Sequence, residues 1–351
     1  MKDLRSLLPR ELEALMEDLG EPKYRARQLF TWLNRGATDF DSLKNLPRSL
    51  RSMLAEVSTI SSLRCLRKQV SRSDGTVKYL WELPDGNAVE TVVMRYAHGA
   101  TVCISSQVGC RMGCAFCASA IGGLVRNLTA GEMLAEVLFS QLDYGESLNH
   151  IVLMGIGEPL DNYDEVLRFL RLVNCPEGLN IGMRHISLST CGLTERIADL
   201  AREDLQLTLA ISLHAPDDET RSRLMPANRG RGVAEIVKSC RDYFAATGRR
   251  ITFEYAMIDG VNDSPEQARA LAALARQVKA HVNLIPLNHV EERKFAPSRP
   301  ERMRAFCAVL DQAGTNYTVR RSLGGDVDAS CGQLRRKRER SKAGEEEQPE
   351  V

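Results

Sequence analysis

Apolar residues recur at helical spacing over Leu4, Leu7, Leu8, Leu12, Leu15, Met16 and Leu19, and Gly20 ends the run. A second helical pattern covers about 23–34, with Phe30, Trp32 and Leu33 on its buried side, and a third lies near 43–54. Residues 1–56 therefore read as a small helical domain. The period then changes. Segments 77–83 and 88–95 are β-rich, and Asp85-Gly86-Asn87 between them is a hairpin signal, so 57–100 reads as a β extension. From Thr101 onward strand and helix patterns alternate. Candidate strands are 101–106, 150–155, 185–190, 207–213, 250–257, 282–287 and 316–320. Thr129 and Glu132 form a capping box ahead of the first intervening helix, and Ser264 followed by Pro265, Glu266 and Gln267 opens another. Repeated strand–helix units predict an α/β domain with a parallel sheet over 101–334. Periodicity alone leaves an open sheet and a barrel as alternatives. The stretch 335–351 is charged throughout without an apolar anchor, which predicts a disordered tail.

Composition narrows the class. An apolar fraction of 43% and a charged fraction of 26% exclude wholesale disorder, collagen and coiled coil. Lys and Arg number 47 against 46 Asp and Glu, a net charge of +1 that neither advertises nucleic acid nor excludes a local basic face. The first residues lack a signal-peptide core, and no apolar run reaches the length of a membrane span. A cytoplasmic protein is expected. In that compartment ten cysteines point to metal binding or catalysis before disulfides. Gly-x-Ser-x-Gly and phosphate-loop patterns are missing, which leaves hydrolase and kinase readings without support.

The sharpest chemical signal is Cys110-Arg-Met-Gly-Cys114-Ala-Phe-Cys117, placed directly after a strand. Three thiolates at this spacing can reach one soft metal centre, and Gly109 and Gly113 permit tight turns around it. Zinc sites and iron–sulfur clusters both usually take four ligands, and no fourth Cys or His lies nearby in sequence. Three thiolates suit a four-iron cluster with one iron left open. Zinc completed by a distant ligand and plain buried cysteines are the alternatives. Other special residues fall at strand ends: Gly157-Glu158-Pro159, Ser189 and Thr190, Ser212-Leu213-His214, and Asn288. A barrel brings all such ends to one mouth, whereas an open sheet concentrates them at a switch point, so a curved sheet is favoured. Taken singly, Glu158 reads as a capping acid, His214 as a satisfied barrel residue, Cys103 as a small buried hydrophobe and Glu90 as an exposed strand acid. Cys331 sits in a glycine-bracketed loop, which is poor core material.

The spacing C-x3-C-x2-C resembles the cluster motif of radical S-adenosylmethionine (SAM) enzymes. With Cys103-Ile-Ser-Ser-Gln-Val-Gly-Cys110, Arg126-Asn-Leu-Thr129, Met154-Gly-Ile-Gly-Glu-Pro-Leu160, Ser187-Leu-Ser-Thr-Cys-Gly192, Ile211-Ser-Leu-His-Ala-Pro216 and Ala329-Ser-Cys-Gly-Gln-Leu334, the chain resembles the RlmN/Cfr family of RNA adenine methyltransferases. The resemblance runs from the N-terminal helices to Leu334. It implies a partial (β/α)6 TIM-like barrel and a [4Fe-4S] cluster on Cys110, Cys114 and Cys117. It implies SAM contacts from Gly157, Glu158, Ser189, Ser212, Leu213, His214 and Asn288. Cys331 would be the S-methylcysteine intermediate, Cys103 the resolving cysteine that forms a transient disulfide with it, and Glu90 the proton acceptor, with two SAM per turnover. Cys65, Cys175, Cys191, Cys240 and Cys307 match neither cysteine role and read as structural.

The implied product is 2-methyladenosine at adenine 2503 of 23S rRNA and adenine 37 of a subset of tRNAs. The partners would be those RNAs and a flavodoxin- or ferredoxin-type electron donor, acting on a monomer. A Cfr-type enzyme, methylating carbon 8 and giving antibiotic resistance, shares the same motifs. A non-catalytic RNA-binding protein with a structural metal site is the rival from another class. Candidate phosphate ligands are Lys23, Arg25 and Arg27, Arg64, Arg67 and Lys68, and the basic run 335–338.

Overall fold

The computed structural model describes residues 1–346 apart from positions 289, 291, 322 and 328–331, with backbone alone at 341–346. The N-terminal helices are α1 (Pro9–Asp18), α2 (Tyr24–Asn34) and α3 (Arg48–Val57). The single run expected from Leu4 to Leu19 is broken in two. Pro9 has no amide hydrogen to give and starts a new helix at its first position, leaving a short 3-10 turn over Leu4–Ser6 before it. Lys2–Asp3 pairs in parallel with Ser58–Thr59 and closes the domain. Arg5 is buried inside it, donating to the carbonyls of Leu33, Ala37 and Ser61, with Asp3 two residues away as its counter-charge.

Ten strands then form one sheet in strict chain order. They are β1 (Arg64–Val70), β2 (Val77–Glu82), β3 (Ala88–Tyr96), β4 (Gly99–Cys103), β5 (Leu148–Leu153), β6 (Ile186–Thr190), β7 (Thr208–Ser212), β8 (Ile251–Met257), β9 (His281–Pro286) and β10 (Tyr317–Val319). Strands β1 to β4 are antiparallel and β4 to β10 parallel. The expected hairpin turn is present: Leu83 donates to Asn87, and Gly86 takes the left-handed conformation with φ 81°. The crossovers are α4 (Ala130–Tyr144), α5 (Tyr163–Val173), α6 (Thr194–Ala201), α7 (Asp218–Leu224) with α8 (Val233–Thr247), α9 (Pro265–Val278) and α10 (Pro300–Gln312). Both capping boxes read from sequence form, Thr129 with Glu132 and Ser264 with Gln267. The result is six strand–helix units plus a short seventh parallel strand. It is a partial (β/α)6 barrel, open on one side and extended by the antiparallel strands β1 to β3.

One continuous apolar core runs from Leu4, Leu12 and Leu29 through Val89 and Val102 to Ile211, Phe253 and Phe306. The helical domain is therefore packed onto the barrel, and polar stitches fix its position. The Gly131 amide donates to Ser6 Oγ at 2.8 Å, and Arg168 pairs with Glu11 at 2.5 Å.

The chain after Gly332 departs from expectation. Where a disordered tail was read from Arg335, the structure has a helix, α11 (Gln333–Glu346). Its anchor lies just ahead of the charged run. Leu334 is buried against Leu80 and Ala88, Arg335 is buried, and Arg338 pairs with Glu82 on β2. A composition argument misses one apolar residue that finds a pocket. Replacing Leu334 with Ala removes most of that anchor, a loss of about 2–5 kcal/mol for a buried leucine. We expect L334A to release α11 to limited proteolysis while the urea midpoint of the barrel stays near wild type.

Candidate active site

The C-terminal ends of the parallel strands surround a cavity of about 340 Å³. Cys110, Cys114, Cys117, Gly157, Glu158, Ser189, Ser212, His214 and Asn288 all line it. Met112, Phe116, Met225 and Leu287 supply apolar wall between them. Leu213 is the exception among the predicted SAM residues: it is fully buried in the core, behind the wall.

The three-cysteine loop follows β4 and is fastened at several points. The Cys110 amide donates to the Gly123 carbonyl at 3.0 Å, and Ala115 donates to Leu224 of α7 at 2.8 Å. Arg293 donates to the Cys117 carbonyl at 3.0 Å. Gly109 has φ 78°, and a Cβ there would lie 2.0 Å from the Gly123 carbonyl oxygen, so only glycine fits. Burial pushes the Cys110 thiol up to about 12, and it raises Cys114 further. Each is also raised by its neighbouring thiols, which places the group together on one wall. Among the described residues no three such side chains are drawn into a compact ion site. The donor set, three soft thiols on a partly apolar cavity wall without a fourth protein ligand in the loop, fits an iron–sulfur cluster, which Cys110, Cys114 and Cys117 would hold.

Gln107 joins three of the sequence motifs. Its amide nitrogen donates to Asn127 and Asp161, each at 2.9 Å, and its oxygen accepts from the Glu158 amide at 2.9 Å. Gly157, at φ 115°, lies against Ser106 and Gln107 where a Cβ would be 2.6 Å from Ser106 Oγ. The Glu158 carboxylate is buried and accepts from the amides of Leu160 (3.1 Å) and Cys191 (2.7 Å). It therefore shapes the loop as a capping acid, with burial raising its pKa. Ser189 and Ser212 hydroxyls are 3.2 Å apart on adjacent strands. His214 is buried with φ 56°, and its Nδ1 accepts from the Ala256 amide at 3.0 Å. That bond fixes the neutral ring with the proton on Nε2. Burial lowers its pKa to about 3, so it does not act as a base near neutrality.

Cys103 ends β4 and faces Val92 of β3 across the antiparallel ladder. It is buried among Val92, Met94, Met154 and Leu323, all of which also line the cavity. Glu90, two residues before Val92, shares its face. Far from being exposed, Glu90 is buried and ion-paired with the equally buried Lys78 at 2.8 Å. Its two oxygens also accept from the amides of Gly332 (2.6 Å) and Arg335 (2.7 Å). Cys331 itself lies outside the described residues; Gly332 is the next residue along. On the other side of that loop, Asp326 accepts from Ser71 Oγ (2.6 Å) and the Arg72 amide (2.8 Å), and Asp74 accepts from the Gly324 amide (2.7 Å). Both flanks of Cys331 are thus held by the β extension, and Gly332 also touches the cluster loop at Ala118 and Ser119.

Sequence reasoning missed Lys78, Gln107, Arg221, Glu254, Arg320 and the cavity position of Cys191. The hairpin register gave a signal for Lys78. Leu80 faces Glu90, which puts Lys78 diagonal to it on the same face. Arg221 gave none, since its surroundings Asp-Asp-Glu-Thr-Arg-Ser-Arg read as a solvated helix. Glu254 lines the cavity, buried, accepting from Asn283 at 2.8 Å.

Residues 104–272 match the radical SAM superfamily, and residues 2–60 match the ribosomal RNA large subunit methyltransferase N-terminal domain. The probable dual-specificity RNA methyltransferase RlmN of Desulforamulus reducens is 51% identical over 338 residues, covering 96% of this chain and 97% of that protein. The corresponding protein of Alkaliphilus oremlandii is 51% identical over 335 residues, covering 95% and 98%. The crystal structure of a radical SAM methyltransferase from Sphaerobacter thermophilus superposes with a TM-score of 0.90 at 45% identity, covering 95% of this chain and 99% of that one.

Two outcomes follow from the geometry. A methyl group added by Gly332→Ala meets the Ser119 amide at 2.9 Å on a backbone with φ 83°, so G332A moves the start of α11 off Glu90. Hydrogen exchange of the Arg335 amide should quicken at least tenfold while barrel amides hold. His214 titrates near 6.5 unfolded and near 3 folded, so the unfolded chain binds the proton first as pH falls. Its contribution to stability is complete above 6.5 and lost progressively below it. Urea unfolding should show wild type losing about 2 kcal/mol more than H214N between pH 7.5 and 5.

Proposed function

The chain belongs to the RlmN family of radical SAM RNA methyltransferases, and from that premise we propose that it methylates carbon 2 of adenine. The substrates are adenine 2503 of 23S rRNA and adenine 37 of a subset of tRNAs. The observation that carries the mechanism is the hold of Glu90 on Gly332, next to Cys331, on the sheet face that also bears Cys103 of the adjacent strand β4. The match of residues 2–60 to the N-terminal domain supports carbon 2 over the Cfr-type carbon 8 outcome.

Carbon 2 of adenine is electron-poor, so direct transfer of an electrophilic methyl group fails there. The [4Fe-4S] cluster on Cys110, Cys114 and Cys117, with SAM, supplies one-electron chemistry that makes a methyl group reactive. The protein's own residues do the rest. The Cys331 sulfur, as thiolate after losing its proton to solvent, takes a methyl group from one SAM, releases S-adenosylhomocysteine and holds that carbon as a thioether. Once the carbon is bonded to the ring, the Cys103 sulfur attacks the Cys331 sulfur. With the odd electron of the adduct returned to the electron-transfer partner, the sulfur–sulfur bond forms as the sulfur–carbon bond breaks, and the carbon leaves with the electron pair and takes up a proton to become the methyl group. Glu90 accepts the ring proton, for which it must exchange one of its three present partners. The Gly332 amide is the partner attached to the loop that bears Cys331. Gly157, Glu158, Ser189, Ser212, His214 and Asn288 shape the pocket for SAM, with Leu213 behind them. The apolar wall of Met112, Phe116, Met225 and Leu287 keeps water from the reactive carbon.

A flavodoxin- or ferredoxin-type protein is the proposed electron donor, the cytoplasm the compartment and the monomer the working unit. No helix among the described residues is long and apolar enough to cross a membrane. A nucleoside assay tests the reading. Anaerobically reconstituted protein, SAM, a reductant and an rRNA fragment should yield 2-methyladenosine by mass spectrometry against authentic standards, and C331A should yield none. An 8-methyl product would assign the carbon 8 branch instead. No methylation, with zinc in place of iron, would leave an RNA-binding protein with a structural metal site.

A further inference from the structure

Arg221 on α7 is a buried cation whose hydrogen bonds all go to neutral groups. It is 1% exposed. Nε donates to the Leu213 carbonyl at 3.1 Å, Nη1 to the Asn228 side-chain oxygen at 2.6 Å, and Nη2 to the carbonyls of Cys191 (2.5 Å) and Ser212 (3.2 Å). Among the described residues, no carboxylate forms an ion pair with it. Asp218 on the same helix acts on it at longer range, but its carboxylate is taken by the Val233 amide (2.7 Å) and the Asn228 amide group (3.0 Å). A buried charge without a partner is costly, and native structures rarely keep one without a reason. Of the other large buried cations, Lys78 is ion-paired with Glu90, and Arg5, which also donates only to carbonyls, has the charge of Asp3 two residues away.

The surroundings say where the missing charge belongs. Leu224, one turn along α7, accepts from the Ala115 amide inside the three-cysteine loop. Leu224, Met225 and Cys191 pack with Met112, Cys114 and Phe116 in one apolar cluster beside the guanidinium. Nη2 reaches the Cys191 carbonyl, and Cys191 packs in the same cluster as Cys114 of the three-cysteine loop. The cation therefore faces the cysteine wall. A cluster on three thiolates is net negative, and it gains one further negative charge on reduction.

We propose that Arg221 is the built-in counter-charge of the cluster site, a positioning residue that stabilises the cluster and raises its reduction potential. The inference rests on Cys110, Cys114 and Cys117 being the cluster ligands. It goes further by assigning a tuning role to a residue outside the three-cysteine motif, one that is buried behind the cavity lining. It also accounts for an otherwise unexplained cost. The guanidinium is paired only when the cluster is present, so its charge should favour the loaded protein over the empty one.

The test uses reconstituted holoenzyme of wild type, Arg221→Lys and Arg221→Gln. Iron and sulfide content come first, then the midpoint potential by EPR-monitored titration, then thermal unfolding of loaded and empty protein. Gln keeps hydrogen-bond donors without the charge, and Lys keeps the charge. We expect R221Q to shift the reduction equilibrium about tenfold toward the oxidised cluster, ~59 mV for a one-electron couple. R221K should stay within about twofold of wild type. Empty R221Q should melt no lower than empty wild type, while cluster loading should raise its melting temperature less. Equal potentials in all three proteins would overturn the inference and leave the cluster reading standing. So would an empty R221Q that loses as much stability as the loaded one, since that makes Arg221 a strut. A wild type that takes up no iron would overturn the cluster reading itself, and the inference with it.

Discussion

The carboxylate of Glu90 ties the end of the chain to its beginning. It receives the Lys78 ammonium from the next strand and the amides of Gly332 and Arg335 from the last helix. All of this is buried, and such a group cannot lose one partner cheaply, because the remaining charge stays out of water. The β extension is therefore more than a decoration on the barrel. Its β1–β2 turn grips the loop at Gly324 and Asp326, and β3 grips it at Gly332. Cys331 lies between these fixed points. For the proposed role of Cys331, these contacts define both ends of the loop that bears it.

The same economy of placement runs through the cavity. Polar atoms that could compete for substrate are mostly engaged with backbone. Glu158 caps two amides, His214 is locked as a neutral ring, and Gln107 holds three motifs in register. The rest of the wall is largely thiol, hydroxyl and apolar surface, a suitable lining for radical chemistry, with Glu254, Asn288 and Arg320 as the polar side chains at its edge. The basic residues read from sequence as candidate phosphate ligands follow a different rule. Lys23 pairs with Glu17, Lys68 with Asp143 and Arg64 with Glu82, at or near the surface. Pairs of that kind are worth little, so phosphates can take over the cations at small cost. A chain of net charge +1 can bind RNA by such exchange.

Much of this was legible in the sequence, for identifiable reasons. Strand–helix alternation with clear caps gave the parallel sheet, and the special residues at the strand ends favoured a barrel and named its cavity wall, because a barrel converts sequence position into spatial convergence. The cysteine spacing gave the cluster loop. Three things stayed hidden. Glu90 read as an exposed strand acid because its partners come from about 240 residues away and from a lysine that pattern analysis treats as solvated. The helix after Gly332 was lost in charge, since only Leu334 anchors it. Arg221 carried no signal at all, because burial of a charged side chain is set by tertiary packing. In each case a polar group is held by long-range partners, which local pattern cannot register.

The central claim is that Cys331 carries the transferred carbon and Cys103 frees it. The most direct measurement is mass spectrometry of Cys103→Ala protein after one turnover with SAM and the rRNA fragment. The account predicts a covalent protein–RNA adduct, with the nucleotide linked through one carbon to the peptide containing Cys331. Free methylated RNA at the wild-type rate, with no adduct on that peptide, would contradict it.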